Sequence, residues 1–325
     1  MADRIAEAVE RGDLDELTRL IDALCEAREW DALVELRDGC ARAVERGKQL
    51  WPAAHHAEYR LALEAPAPWA GSVLVEGAGR FALGPLSEVA ASTHTWAELA
   101  PHAPAGPVAA LAAHERVVRG EDLRGVSIVS PPVLELPLAL EPWEPSYRVA
   151  HYRSHTADFP SPDLPALRAV DVEPAPRVDD RAGTDGLLAL VASWTAGSDG
   201  RAEARAARGD ARGAIAALGI RRARLGLLTV ADAFAHMAWA AASGGAYGRR
   251  RGAATGRFDA WIAGATLVGL EDTWPPDGDA LGAALADLRW YAWDAAEPVT
   301  GWALHLAVED PKRGLAWALA ATDAR

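Results

Sequence analysis

The sequence predicts an α+β protein. A helical N-terminal region leads through a proline-rich connection into a region where helices pack on a small antiparallel sheet. Three observations carry this. Residues 1–120 repeat apolar side chains at helical spacing. Ten of the 21 prolines fall between Pro131 and Pro176. Residues 302–320 alternate with a period of two.

In the first region, 1–120, Asp13 follows Gly12 and is placed to cap a helix whose first turn holds Asp15 and Glu16. Leu17, Leu20, Ile21 and Leu24 form its apolar stripe. A second helix carries Trp30, Leu33, Leu36, Cys40 and Val44 and stops near Gly47. A third runs from Trp51 to Leu63 with Pro52 in its first turn. Shorter helices follow at Pro85–Ala91, Thr95–Leu99 and Pro107–Arg119. Successive helical hairpins resemble a small solenoid or irregular bundle, but no fixed period supports a named repeat. Cys25 and Cys40 fall among the apolar positions and read as buried small hydrophobes.

The second region, 121–182, excludes long helices through its prolines. Short strands are expected at Val126–Val129, Leu134–Leu140, Tyr147–Tyr152 and Ala169–Val172, confined to sheet edges. In the third region, 183–325, helices are expected from Thr184 or Asp185 through Trp194, at Asp210–Leu218, at Thr229–Ala242, at Thr255–Leu270, and after Asp279. Arg289–Asp294 reads as a strand. Trp302, Leu304, Leu306 and Val308 then share one face, and Ala303, His305 and Ala307 the other. After Asp310-Pro311-Lys312-Arg313-Gly314 the alternation resumes, so a hairpin is expected. Its alanine face is shallow enough for a helix to dock closely.

Composition excludes several classes. The 325 residues suit two domains at roughly 100–200 residues each. Half are hydrophobic, enough for a sizeable core. No apolar run approaches the ~18 residues of a membrane span. The opening Met-Ala-Asp-Arg-Ile-Ala-Glu lacks the layout of a signal peptide, so a cytoplasmic protein is expected. Two cysteines are too few for a disulfide framework. Arginine replaces lysine nearly everywhere, with only Lys48 and Lys312 present. Asn is absent and Gln49 is the single glutamine, a bias that fits a GC-rich genome. Arginine richness therefore does not by itself signal phosphate binding.

The charge is unevenly placed. Between Arg201 and Arg257 eleven arginines face Glu203, Asp210 and Asp232, giving +8 and leaving −21 of the total −13 to the rest. The densest part, Ser243 to Arg257, joins two expected helices and holds four glycines before Ala253. Tyr247, Arg249, Arg250, Arg251 and Arg257, beside a helix N-terminus, read as a site for a phosphate or carboxylate. The plainer alternative is an Arg-rich connector pairing with the protein's own acids. Trp239 is a candidate apolar wall for the site. One turn apart, Asp232 and His236 have the spacing of an oriented general base, and equally of an ordinary helical i,i+4 pair. Val73–Ala82 matches a dinucleotide fingerprint, but Gly84-Pro85 interrupts the helix it needs, so a turn between helices is expected. His55-His56 lies with Glu58 on an expected helix, and His151 and His155, with Asp158 nearby, have HxxxH spacing but lack the zincin Glu and stand among prolines that exclude the helix, so no metal is assigned and no cofactor is named. No nucleophile elbow is present.

The stretch Gly244-Gly245-Ala246-Tyr247-Gly248-Arg249 through Gly256-Arg257 and Ala260-Trp261, together with the ending Ala320-Ala321-Thr322-Asp323, resembles an uncharacterised family of actinobacterial proteins carrying a domain of unknown function. The resemblance covers the last 100–140 residues or so. It implies a bacterial cytosolic protein and brings no activity. The expected function is a non-enzymatic binding or scaffold protein whose Gly/Arg loop takes an anionic small molecule or an acidic protein partner. The alternative is an enzyme on a phosphorylated or nucleotide-like substrate, with Asp232 and His236 as its base pair and Arg249, Arg250, Arg251 or Arg257 as a phosphate clamp. Nucleic acid is disfavoured by the net charge, no membrane contact is expected, and no oligomeric state is assigned.

Overall fold

The computed structural model describes residues 2–128, 133–296 and 300–324. They fall into two compact units. The first comprises Met1–Val117, Gly125–Val133 and Ala150–Phe159. The second comprises Val118–Arg124, Leu134–Val149 and Pro160–Arg325. The proline-rich stretch is thus divided between the two.

The first unit is built from helices α1 (Ala2–Arg11), α2 (Leu14–Ala27), α3 (Trp30–Glu45), α4 (Trp51–Glu64), α5 (Ala67–Ser72), α6 (Leu86–Thr93), α7 (Trp96–Leu99) and α8 (Pro107–Val118). The local signals act as their chemistry requires. Asp13 accepts from the Asp15 and Glu16 amides at 3.0 and 3.1 Å. Thr95 and Glu98 form a reciprocal capping box on α7. Pro52 sits in the first turn of α4. That helix is central: α2, α3, α5 and α6 pack on it, and its Ala53, Ala54, Ala57, Tyr59, Leu61 and Leu63 are all buried. Small alanines let the neighbours approach closely. A short hairpin of β1 (His151–Tyr152) and β2 (Ala157–Asp158) completes the unit.

The second unit is a seven-stranded antiparallel sheet with helices on both faces. In chain order it contains β3 (Arg168–Asp171), β4 (Arg177–Val178), α9 (Arg181–Ala189), α10 (Ala192–Gly197), β5 (Arg201–Arg208), α11 (Ala211–Ala217), β6 (Arg222–Leu228), α12 (Val230–Ala242), α13 (Ala253–Val268), α14 (Gly278–Ala286), β7 (Arg289–Asp294), β8 (Trp302–Asp310) and β9 (Leu315–Asp323). The spatial order is β3-β6-β7-β8-β9-β5-β4. The short strands β3 and β4, bracketed by prolines, sit at the two edges, where a missing N–H costs least.

The expected hairpin is β8–β9. Val308 pairs with Trp317 and Ala307 with Ala318. Asp310 Oδ1 closes the turn by accepting from the Lys312 and Arg313 amides, and Gly314 takes a left-handed φ of 57°. The alanine face is covered by α11, whose Ala211, Ala214 and Ile215 pack with Ala307, Ala316 and Ala318. The opposite face meets α9 and α12, with Trp290 and Trp317 fully buried.

Several expectations change. Leu134–Leu140 forms no strand. Pro137 removes a ladder donor, and the Pro137 and Ala139 carbonyls accept from a buried guanidinium instead. Tyr147–Tyr152 shortens to β1. No strand forms at 126–128, and Val129 lies outside the described residues. The helix through Trp194 breaks at Leu190 and Val191 into α9 and α10. The cap of α14 is Asp277 rather than Asp279. Strands β5 and β6 lie inside the Arg-rich segment. Their alternation is carried by alanine and arginine, a weak apolar signal beside the charge.

Candidate functional site

The Gly/Arg loop folds around an internal anion. The Asp323 carboxylate at the end of β9 accepts the Ala246 amide at 2.6 Å, and Ser198 Oγ accepts the Tyr247 amide at 3.0 Å. Asp323 is buried, and its Oδ1 has no hydrogen-bond partner. Gly245 is required by its φ of 77°, and a Cβ there would lie 2.1 Å from Asp323 Oδ2. The arginines diverge in role. Arg257 is buried and bound to Glu144. Arg251 donates to Asp259 at 2.5 Å and to the Ala241 carbonyl at 3.2 Å. Arg249 is exposed and Arg250 half-buried. Tyr247 is 64% exposed. Trp239 stacks on Trp302, with ring centroids 4.8 Å apart.

Asp232 belongs to the capping box of α12, where its Oδ2 accepts from the Thr229 hydroxyl at 2.7 Å. His236 is buried, and its Nε2 lies 3.3 Å from the Asp163 carbonyl. Burial lowers the His236 pKa despite the neighbouring aspartates. His236 lines a cavity of about 270 Å³ with Trp293, Asp294 and His305, and none of the loop arginines 249–257 lines it. In this cavity His236 does not meet the Gly/Arg loop.

The first unit carries a constellation that no local spacing announces. Asp22 of α2, His56 of α4 and His155 of the β1–β2 turn converge, their ligand atoms all within 4.8 Å of one another. His155 Nε2 lies 3.0 Å from Asp22 Oδ1. The two imidazoles stack at 5.3 Å and 25°. The hairpin that presents His155 is tied to α4 twice. Tyr59 Oη donates to the Arg153 carbonyl at 2.5 Å, and Ser154 Oγ to Glu64 Oε1 at 2.9 Å. Beneath the cluster, buried Arg60 binds Glu64 through two bonds and also Asp22. Burial, with Arg60 and His155 adding, lowers the His56 pKa to about 4, so the ring is neutral near pH 7. His56 Nε2 is buried without a hydrogen-bond partner.

The two histidines of this cluster, His56 and His155, form one wall of a pocket of about 330 Å³. Leu14, Trp51, Tyr59, Phe81, Leu83 and Ser154 complete most of the lining. Phe81 is delivered by the turn after Gly77 and Gly79, the stretch that matched a dinucleotide fingerprint. The Gly79 amide donates to Glu58 at 2.6 Å, and Phe81 packs on Trp51 at 4.2 Å. His55 stacks on Phe81 at 5.3 Å. The sequence grouped His56 with Glu58 and His155 with His151, whereas the fold takes one histidine from each pair. Cys25 and Cys40 are buried free thiols, pushed up to about 12 and 11 by burial.

Fold and site together define an α+β protein that joins a helical unit with a histidine-walled aromatic pocket to a helix-covered antiparallel sheet. The chain belongs to a family of unknown function, DUF6183, whose model matches residues 15–325 and so runs through both units. No curated protein and no solved structure matches it. Among the described residues no helix is long and apolar enough to cross a membrane.

Proposed function

We propose that this is a binding protein whose ligand seats in the aromatic pocket of the first unit. The observation that carries the reading is the grouping of exposed apolar side chains. Leu14, Trp51, Phe81 and Leu83 are all exposed large hydrophobics, and all four line this one pocket. Leaving such groups exposed to water is unfavourable, and contiguous apolar patches with a polar floor mark ligand sites. Trp51 and Phe81 suit a ring-sized apolar body, while Ser154 and His155 suit a polar end. The test is tryptophan fluorescence and thermal shift against a panel of small aromatic and acidic metabolites. A saturable response that is lost in Phe81→Ala is expected. Absence of any saturable response, or one that persists unchanged in Phe81→Ala, overturns the reading.

A second reading concerns the Gly/Arg loop as an anion site, supported by the solvent-facing Tyr247 and Arg249 beside a loop whose Ala246 amide already holds one carboxylate. Phosphate, nucleotides and acidic peptides are the probes. A stabilising shift that disappears in Arg249→Ala with Arg250→Ala supports it, and an unchanged melting temperature with every probe removes it. Under an enzymatic alternative His236 would act as the base, and its cavity would have to admit the substrate.

A further inference from the structure

We propose that Asp22, His56 and His155 form a binding site for one divalent transition-metal ion of the zinc type. The ion's open coordination position would face the aromatic pocket. Two imidazoles and one carboxylate are the donor set that suits zinc, cobalt or nickel rather than calcium or magnesium, which favour oxygen cages. Each donor comes from a separate element, and each element is fixed by its own contacts. Asp22 is held by Arg60, His56 lies on the central helix, and the hairpin bearing His155 is pinned by Tyr59 and Glu64.

The distances fit a site that closes on the ion. Donor atoms around a tetrahedral zinc lie roughly 3.3 Å apart, from metal–ligand bonds of about 2.0–2.1 Å. The His155–Asp22 pair is already at 3.0 Å, and the whole set is within 4.8 Å. The remaining closure falls to His155, whose side chain is 51% exposed at the turn. His56 Nε2 adds a second observation, a buried nitrogen with no hydrogen-bond partner on one of the three ligand side chains. A metal ion would satisfy it, and a buried orphan nitrogen is otherwise costly. Both bonds to Asp22 end on Oδ1, which leaves Oδ2 as a further donor.

Charge points the same way. Asp22 and Glu64 face Arg60, so these three side chains together carry a formal −1 that a dication offsets. Three protein ligands leave a fourth position, as in sites that bind an exchangeable group. Because His56 and His155 both line the pocket, that position opens toward Trp51 and Phe81.

Metal uptake is measured without any organic ligand, so it stands or falls separately from the pocket reading. The untagged full chain is stripped with chelator and titrated with Zn2+ by calorimetry and with Co2+ by visible absorption. One ion per chain is expected, with a tetrahedral or five-coordinate cobalt spectrum. His155→Ala, a change at an exposed turn, should weaken binding on the order of tenfold or more. His151→Ala, on the same hairpin but outside the cluster, should leave it unchanged. Phe81→Ala should leave metal binding intact while removing the ligand response. No stoichiometric uptake by the wild-type chain, or equal uptake by His155→Ala, overturns the site.

Discussion

Arg257 and Glu144 form a bidentate ion pair inside the second unit, with Nε to Oε2 at 2.8 Å and Nη2 to Oε1 at 2.7 Å. Their side chains are 1% and 0% exposed. Two further guanidinium bonds reach the Pro137 and Ala139 carbonyls, and Tyr147 Oη donates to Glu144 at 2.6 Å. The pair therefore anchors a proline-rich stretch that has no sheet ladder of its own.

Breaking one partner leaves the other charge buried. Arg257→Met or Glu144→Leu alone should cost about 3–5 kcal/mol in urea unfolding, and the double variant should recover most of it. Burial alone would raise the Glu144 pKa, but the bonds and charge of Arg257 more than reverse it. A carboxylate held below its ordinary value stabilises fully above that value and loses the contribution as pH falls through the folded one. Arg257→Met should therefore also flatten the acid limb of the stability profile below pH 4.5, the ordinary glutamate value. Additive single-variant costs would count against coupling.

Asp323 organises the Gly/Arg loop through the Ala246 amide. Asp323→Ala should cost about 1–3 kcal/mol and raise hydrogen exchange at Ala246. The Tyr247 amide, held by Ser198 Oγ, should respond less. Unchanged protection at Ala246 would show that the loop is held by other contacts.

Two glycine-to-alanine changes should have opposite signs. At Gly256, where α13 crosses α12, a Cβ would lie 2.2 Å from the Ala238 carbonyl oxygen and 2.9 Å from the Ala242 amide nitrogen. The helices would have to separate, at about 1–3 kcal/mol. At Gly197, in α10, nothing lies within 4 Å of the added atom, and alanine should stabilise by up to ~1 kcal/mol. Thermal melts of the two variants decide it.

His236 and His305 are both held below the ordinary histidine pKa, chiefly by burial. Asp294 and the Trp293 backbone only partly restore His305, whose ring stacks on Trp293 at 4.7 Å. The unfolded chain binds protons at these groups before the folded one does. Stability should thus be full above pH 6.5 and decline as pH falls through the window down to the folded values. Melts between pH 7.5 and 5.5 test this. Replacing His305 with Phe should remove part of the slope, and an unchanged slope would reassign it.

The sequence by itself determined most of the helices, strand β7 and the β8–β9 hairpin. These depend on neighbours in the chain: Asp13 and Thr95 as caps, Pro52 in a first turn, and a strict alternation through Trp302–Val308. It also determined that proline-flanked β3 would be an edge strand, because a missing donor is tolerated only there. The tertiary structure alone decided which side chains meet. Asp22, His56 and His155 are separated by 34 and 99 residues, so no spacing rule joins them, and only the packing of α2, α4 and the β1–β2 hairpin does. It also gave Arg257 a buried carboxylate partner 113 residues away, and gave the Ala246 amide of the glycine loop a carboxylate from the last strand. Local propensity is written in adjacent residues, but a site is written in the distances between elements, and those are set by how their apolar faces pack.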